Sequence, residues 1–464
     1  MTPSTTLSLT QAAHVQLLAH LFPGERKEAA AVLVCTRVPE PRVRLLVKDL
    51  FLVPHQACRR RTENSLTWPG EFIEAAVDLA KPTGQSISLL HSHPTGYPEF
   101  SIVDDASDGD VIPCLQEAIA ADHGSAVMLP DSRILAPMDG PNGEVTLVDL
   151  VSVAGQDLHF WWRDRIPYPA LRPMAFTPDM SRELGRLTAC VIGVSGTGSV
   201  TAEQVYRLGF GRVIGIAHDH VEEKNLNRIL NTTLTDAKGE KAKVHVFADR
   251  INQLRPAPFF TAIDADLMTR RAMLAASQAD VIFYCVDKLR ARMVADRLAA
   301  TFLLPLIDVG VAIPTCMTSD GLTIAEVTGR VDYVYPGGSS LADRGVYTSA
   351  SLHAEALAEA DPAAHADQVR AGYISMPEQA QSVITLNMRS SSECVMEFIA
   401  RAYSFRQQFN CNFARTRFML AEAFEEQEAE SAFAAKPILL LGTGAVEPLL
   451  GLPVLRLQER VLAS

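Results

Sequence analysis

Thr188-Ala189-Cys190-Val191-Ile192-Gly193-Val194-Ser195-Gly196-Thr197-Gly198-Ser199 sets an apolar run against a glycine-rich turn. The helix-patterned Thr201–Leu208 and a second apolar run, Arg212–Ile216, follow. Strand, turn, helix and strand in this order predict a βαβ unit that opens a doubly wound α/β sheet. Glycines in such a turn let the backbone approach phosphates, and the next helix offers unpaired amides and a partial positive charge. Gly193, Gly196 and Gly198 are therefore candidate nucleotide contacts. The pattern alone suits dinucleotide redox enzymes as well, or a tight turn that binds nothing.

Downstream, Val281–Cys285 and Leu304–Ile307 read as further strands around a helical Leu289–Ala300. Two more helices are predicted, a long one over Ser382–Phe405 and an acidic one over Arg415–Glu430. Upstream, from Gln11 to Leu150, the strand-like runs Ala31–Cys35, Val43–Val47, Ser86–Leu90 and Ala126–Leu129 mix with the helical Glu71–Ala80 and Cys114–Ala121. This predicts a separate α/β unit. The stretch Phe160–Pro178, rich in Trp, Arg and Pro, breaks the periodicity. A chain of 464 residues exceeds one ordinary core. The expected division is residues 1–155, a linker over 156–180, and 181–464.

A formal charge of -12 gives no basic field for a phosphate backbone, which argues against nucleic acid as the main partner. The N-terminus lacks the basic start and apolar core of a signal peptide, and Pro437–Leu455 is interrupted by Gly, Pro and Glu447. A cytoplasmic protein without a membrane span is expected. The eight cysteines (35, 58, 114, 190, 285, 316, 394, 411) include no CxxC pair, so reduced, mostly buried thiols are expected.

His91-Ser92-His93-Pro94 is followed after six residues by Ser101-Ile102-Val103-Asp104. On a strand, period two puts both imidazoles on one face, and Ser101 and Asp104 at a helix start can point together. Two nitrogens and a carboxylate would leave a metal one open position, the catalytic arrangement. Ser-x-x-Asp is equally a helix-capping pattern. The spacing resembles the JAB/JAMM metalloproteases over roughly the first 150 residues. That resemblance implies a cytidine-deaminase-like α/β fold, zinc held by His91, His93 and Asp104, Glu28 as acid/base, and Ser101 as an oxyanion stabiliser. It implies cleavage after the C-terminal glycine of ubiquitin-like proteins. Glu25 and Asp105 are the substitutes if the register slips.

After the second strand of the βαβ unit comes Asp219-His220-Val221-Glu222-Glu223-Lys224-Asn225-Leu226-Asn227-Arg228. This run resembles the ThiF/ubiquitin-activating superfamily, and the likeness continues through Lys241, Val286-Asp287, Arg292 and Tyr335-Pro336-Gly337-Gly338 to about Tyr403. The resemblance implies a Rossmann-like adenylation domain that uses ATP and magnesium and forms an acyl-adenylate and pyrophosphate. Arg228 and Lys241 would meet phosphates, Asn225 would orient them, and Asp287 would support magnesium and the reacting carboxylate. This chain departs from the pattern in three ways. Ser195 replaces a turn glycine, which is tolerable at negative φ. Ala217 replaces the acid that grips the ribose, leaving Asp219 or His218 as substitutes. The cysteine pair after the Pro-Gly-Gly loop is absent. Lys243 is close enough to Lys241 to take its place. The activated carrier could then pass to Ser340 as an oxyester, to a thiol such as Cys316 or Cys394, or directly to another protein.

The combined expectation is a bacterial-type bifunctional enzyme whose two domains act on the same tail. Its expected partners are a ubiquitin-like protein and a carrier or conjugating protein, with a homodimer through the rear domain. Sulfur-carrier activation and a non-activating binding scaffold are the rival readings.

Overall fold

The computed structural model describes residues 3–38, 41–140, 144–165, 172–257, 259–370 and 383–456. The chain divides into two compact units. One contains residues 3–172, 301–303 and the stretch from 439 onward; the other contains 173–300 and 304–438. Among the described residues, no helix is long and apolar enough to cross a membrane.

The front unit is built on a ten-stranded mixed sheet in which Ser86–Ser92 lies between Ala30–Val38 and His123–Met128. Period two along Ala30–Val38 divides the core. Ala31, Leu33 and Cys35 join Leu7, Leu9, Leu17 and Leu21 on one face. Val32 and Val34 join Ala76, Ala80, Ile87, Leu89, Ile112 and Leu115 on the other. The helix Gln11–Leu21 thus covers the first face, while Glu71–Ala80 and Ile102–Ala118 cover the second. The expected linker begins with a strand: Leu158–Trp162 pairs antiparallel with Leu150–Ala154, and burial of Leu158 and Trp162 explains why. The remainder of the expected linker includes residues 166–171, which lie outside the described set. The C-terminal stretch belongs to this unit, where Thr36 Oγ1 donates to the Gly442 carbonyl at 2.6 Å.

The rear unit holds an eight-stranded sheet whose first five strands run Phe260–Asp264, Arg212–Ala217, Thr188–Ile192, Val281–Tyr284 and Leu306–Ala312, all parallel. Chain order reverses between Thr188–Ile192 and Val281–Tyr284. The loops leaving these two strands therefore diverge and open a crevice at their carboxyl ends. Thr328–Val334 and Arg415–Met419 continue the sheet antiparallel. The long helix Ile384–Tyr403 forms as expected and buries most of its length, including Phe398 and Ile399.

The acidic helix expected over Arg415–Glu430 is instead a hairpin, Arg415–Met419 against Phe424–Glu428. Its charges are cross-strand partners: Arg417 Nη2 lies 3.0 Å from Glu426, and Arg415 Nη1 lies 3.5 Å from Glu428. Phe418 is buried beneath them.

A row of buried charges crosses this half of the sheet. Arg292 pairs with Asp308 at 3.0 Å, Arg330 bridges Asp308 and Asp332 at 2.6 and 2.5 Å, and Asp332 also meets Arg415 at 2.8 Å and Arg344 at 3.4 Å. Burial opposes charge on Asp332, but Arg330, Arg344 and Arg415 hold its carboxyl below the usual range. Breaking a buried ion pair from one side strands the other charge and costs roughly 3–5 kcal/mol. Asp332→Asn is expected to lose about that much stability in urea unfolding near neutral pH; a change under about 0.5 kcal/mol, typical of a surface site, would contradict the account.

Candidate metal centre and nucleotide crevice

His91 lies on the Ser86–Ser92 strand with the parity of Ile87 and Leu89, so it faces the helix Ile102–Ala118. His93 follows the strand, its amide bonded to the Met128 carbonyl at 3.0 Å. The two Nε2 atoms are 3.0 Å apart. Asp104 Oδ1 is 3.4 Å from His91 Nε2, and Oδ2 is 3.6 Å from His93 Nε2. Ligand atoms of all three residues lie within 4.8 Å of one another. His93 Nδ1 sits 2.9 Å from the Tyr97 carbonyl, which fixes the tautomer that leaves Nε2 free to ligate. Desolvation works against charge on Asp104, yet the neighbouring imidazoles of His91 and His93 and the hydrogen bond from the Ser101 amide hold its carboxyl far below the usual range. This donor set suits a zinc-like divalent ion. Ser101 caps the helix: its Oγ accepts the Asp104 amide at 3.2 Å, and Asp104 Oδ2 accepts the Ser101 amide at 2.7 Å.

Strand register brings Glu28 to the same place. Ala30 pairs with His91, and the Ala29 amide donates to Ser92 Oγ at 3.0 Å. Glu28 therefore opens onto a recess of about 400 Å³ shared with His91, His93, Ser101 and Asp104. It is 8% exposed; burial raises its pKa, and the two imidazoles partly offset that rise. Glu25 is held outside by Arg61 at 2.6 Å, and Asp105 is exposed. Asp108 and Ser125, which the sequence reading passed over, also line the recess and are bonded to each other at 2.5 Å. Asp108 stands four residues after Asp104 on the same helix face, a spacing that could have identified it.

In the rear unit Gly193 has φ +91°, and a Cβ there would meet Val286 Cγ2 at 2.6 Å. A Cβ on Gly198 would stand 1.7 Å from the Gly193 carbonyl oxygen, so the helix Gly196–Leu208 can pack this close only with glycine. Ser195 has φ -128°, the negative value that a serine tolerates. Asp287 follows Val286 and therefore stands beside the turn. Asp287 is exposed as a residue, yet desolvation raises its pKa, Arg292 and Arg228 draw it down, and Asp308 and Asp219 push it up. The Leu230 amide donates to Ser199 Oγ at 3.1 Å, tying the Arg228 segment to the start of that helix. Asn225 is buried, and its Oδ1 has no hydrogen-bond partner among the described residues.

The two lysines separate clearly. Lys241 is half exposed and bonds Asp236 at 3.0 Å, whereas Lys243 is only 7% exposed and directs Nζ to Asp219 at 3.5 Å. Lys243, not Lys241, is thus the cation held at the end of the second strand. Ala217 ends that strand and pairs in register with Asp264, while His218 lies 3.6 Å from Asp266.

The candidate acceptors differ as well. Ser340 Oγ donates to Asp343 at 2.9 Å and accepts the Asp343 amide at 3.1 Å, which closes a turn. Cys394 is fully buried, and burial pushes its thiol well up. Cys316 is exposed on the hairpin formed by Thr315–Thr318 and Gly321–Ile324.

Residues 10–137 match the family of prokaryotic homologs of the JAB domain, and residues 170–370 match the ThiF family. The chain is a fusion of a JAB-type and a ThiF-family domain. It is similar to ubiquitin-like modifier-activating enzyme 5 of Culex quinquefasciatus, at 25% identity over 44% of this chain and 50% of the relative. The same enzyme of Bombyx mori is 30% identical over 23% of this chain and 29% of the relative. The fusion thus spans half or less of these relatives' length. A solved structure of E. coli MccB with ATP covers 56% of this chain and 67% of its own at 13% identity, with a TM-score of 0.42.

If the JAB-type domain binds zinc, the purified protein loaded with zinc and desalted is expected to retain about one ion per chain by mass spectrometry. His91→Ala, His93→Ala and Asp104→Ala should each retain far less, and Glu28→Gln as much as wild type. Full zinc content in all three alanine variants would remove the centre.

Proposed function

We propose that the JAB-type domain hydrolyses the peptide or isopeptide bond after the C-terminal glycine of a ubiquitin-like protein, and that the ThiF-family domain adenylates the same glycine with ATP. One observation carries the reading: His91, His93, Asp104 and the buried Glu28 share one recess in a chain whose second domain is of the ThiF family. Zinc on the triad would supply Lewis acidity and lower the pKa of water. Glu28, its pKa raised by burial, takes the proton of the attacking water and delivers it to the leaving amine. Ser101, on the rim of the recess, stabilises the oxyanion.

In the ThiF-family domain the tail carboxylate attacks the α-phosphate, and pyrophosphate leaves. Two anions must meet, so fixed cations lower the barrier. Arg228 and Lys243 supply them, and Asp287 would hold magnesium. Asn225 orients the phosphates over the glycine turn, and Asp219 and Asp264 serve the ribose in place of an acid at Ala217. With Ser340 committed to its turn and Cys394 buried, the acyl group passes from the adenylate directly to a nucleophile on a carrier protein and AMP leaves; the exposed Cys316 is the alternative acceptor in this chain. A homodimer through this domain belongs to the same reading.

Two assays test the halves separately. With a ubiquitin-like protein extended past its terminal glycine, Glu28→Gln should keep zinc and lose at least about 100-fold in cleavage rate, the scale of a general acid–base contribution; unchanged cleavage would sink the hydrolase half. In ATP–pyrophosphate exchange dependent on that protein, Lys243→Ala and Arg228→Ala should each lose about 100-fold, with Lys241→Ala and Ser340→Ala within a few-fold of wild type. Exchange that ignores Lys243 but collapses in Lys241→Ala would reverse the assignment.

A further inference from the structure

Directly after Asp287 the chain enters the helix Leu289–Thr301, and this helix is capped from elsewhere. The Leu289 and Arg290 amides donate to the two carboxylate oxygens of Glu355 at 2.8 and 2.7 Å. One turn further along Glu355's own helix, Glu359 accepts from Lys288 Nζ at 2.7 Å. That helix, Ser349–Ala360, has no fully buried residue, with Leu352 and Leu357 half-buried. A helix start leaves its first amides unpaired, and the residue just before it ordinarily satisfies them. Lys288 offers no side-chain acceptor, and the acceptor comes instead from more than sixty residues downstream. On the other side of the turn, Arg292 Nη1 donates to the Asp287 carbonyl at 3.0 Å while its Nε is fixed on Asp308. The backbone that presents Asp287 is therefore gripped from both sides.

We propose that Glu355 is a positioning residue of the adenylation site, capping the helix that begins after Asp287 and so fixing the turn from which that carboxylate meets magnesium and nucleotide; this rests on the adenylation reading above. Magnitudes separate Glu355 from its neighbour. The Lys288–Glu359 pair is exposed, and such pairs contribute little. A carboxylate that satisfies two unpaired amides at a helix N-terminus adds charge–dipole attraction to both bonds. Occupied in this way, that N-terminus is closed to phosphate, and the turn at Gly193–Gly198 is left as the cradle.

The test titrates magnesium–ATP calorimetrically into the full-length chain. Glu355→Ala should weaken binding roughly tenfold, the worth of a helix cap, and Glu359→Ala less than about twofold. Asp287→Asn should weaken binding too, and Glu355→Ala should add almost nothing on top of it, because both act through one carboxylate. Fully additive losses, or tighter binding in Glu355→Ala, would overturn the proposal. Wild type that binds no magnesium–ATP would mean the adenylation reading itself has failed. Wild type that binds, with Glu355→Ala indistinguishable from it, would remove only the positioning role. Amide exchange over residues 286–291 should rise in Glu355→Ala without a change elsewhere; if that variant melts globally, Glu355→Gln, which keeps one acceptor oxygen, carries the comparison.

Discussion

The candidate metal centre rests on the antiparallel register of Ala30–Val38 against Ser86–Ser92. Opposing Ala30 to His91 sends His91 toward the covering helix and delivers Glu28 to the recess that the two histidines share. A one-residue slip would turn every side chain of the strand to the opposite face. The register cannot slip cheaply, because the two faces of Ala30–Val38 feed two different cores and both are fully buried. Burial on both sides of a central strand thus becomes precision at its end, where the candidate ligands lie.

The rear domain achieves the same with charge. Its crevice lies where the chain order of the parallel strands reverses, and that order brings the glycine turn beside Val286 and Asp287. Keeping Asp287 in place depends on Arg292, which belongs to the buried row through Asp308, Arg330 and Asp332. Such rows gain little net stability over an apolar core. What they add is direction: a guanidinium that bonds both a carboxylate and a backbone carbonyl leaves Asp287 few alternatives.

Much of this was legible in the sequence, for a physical reason. The glycine turn, the His-x-His strand and the Ser-x-x-Asp helix start are local patterns whose spacing follows from helix and strand periods. The partners recruited across the chain were not legible. The backbone pairing of Asp219 with Lys243 turns the Lys243 ammonium inward, while Asp236 captures Lys241. The segment Arg415–Glu430 reads as an acidic helix by composition, but its glutamates answer arginines on the facing strand, a pairing that only the fold reveals. Leu158–Trp162 reads as a linker because its neighbours are rich in arginine and proline, while its own alternation is short. Glu355 had no signal, since nothing local marks a carboxylate as the cap of a helix so far upstream.

The Ser101–Asp104 pair has a consequence for how such domains are compared. The carboxylate that faces the two imidazoles is the same group that closes the first turn of its helix onto the Ser101 amide. Architecture and chemistry therefore lean on one side chain. A related domain that held no metal would still keep this aspartate for folding, whereas its histidines would be free to drift. When such domains are compared, the imidazoles are therefore better witnesses of a metal site than the acid is.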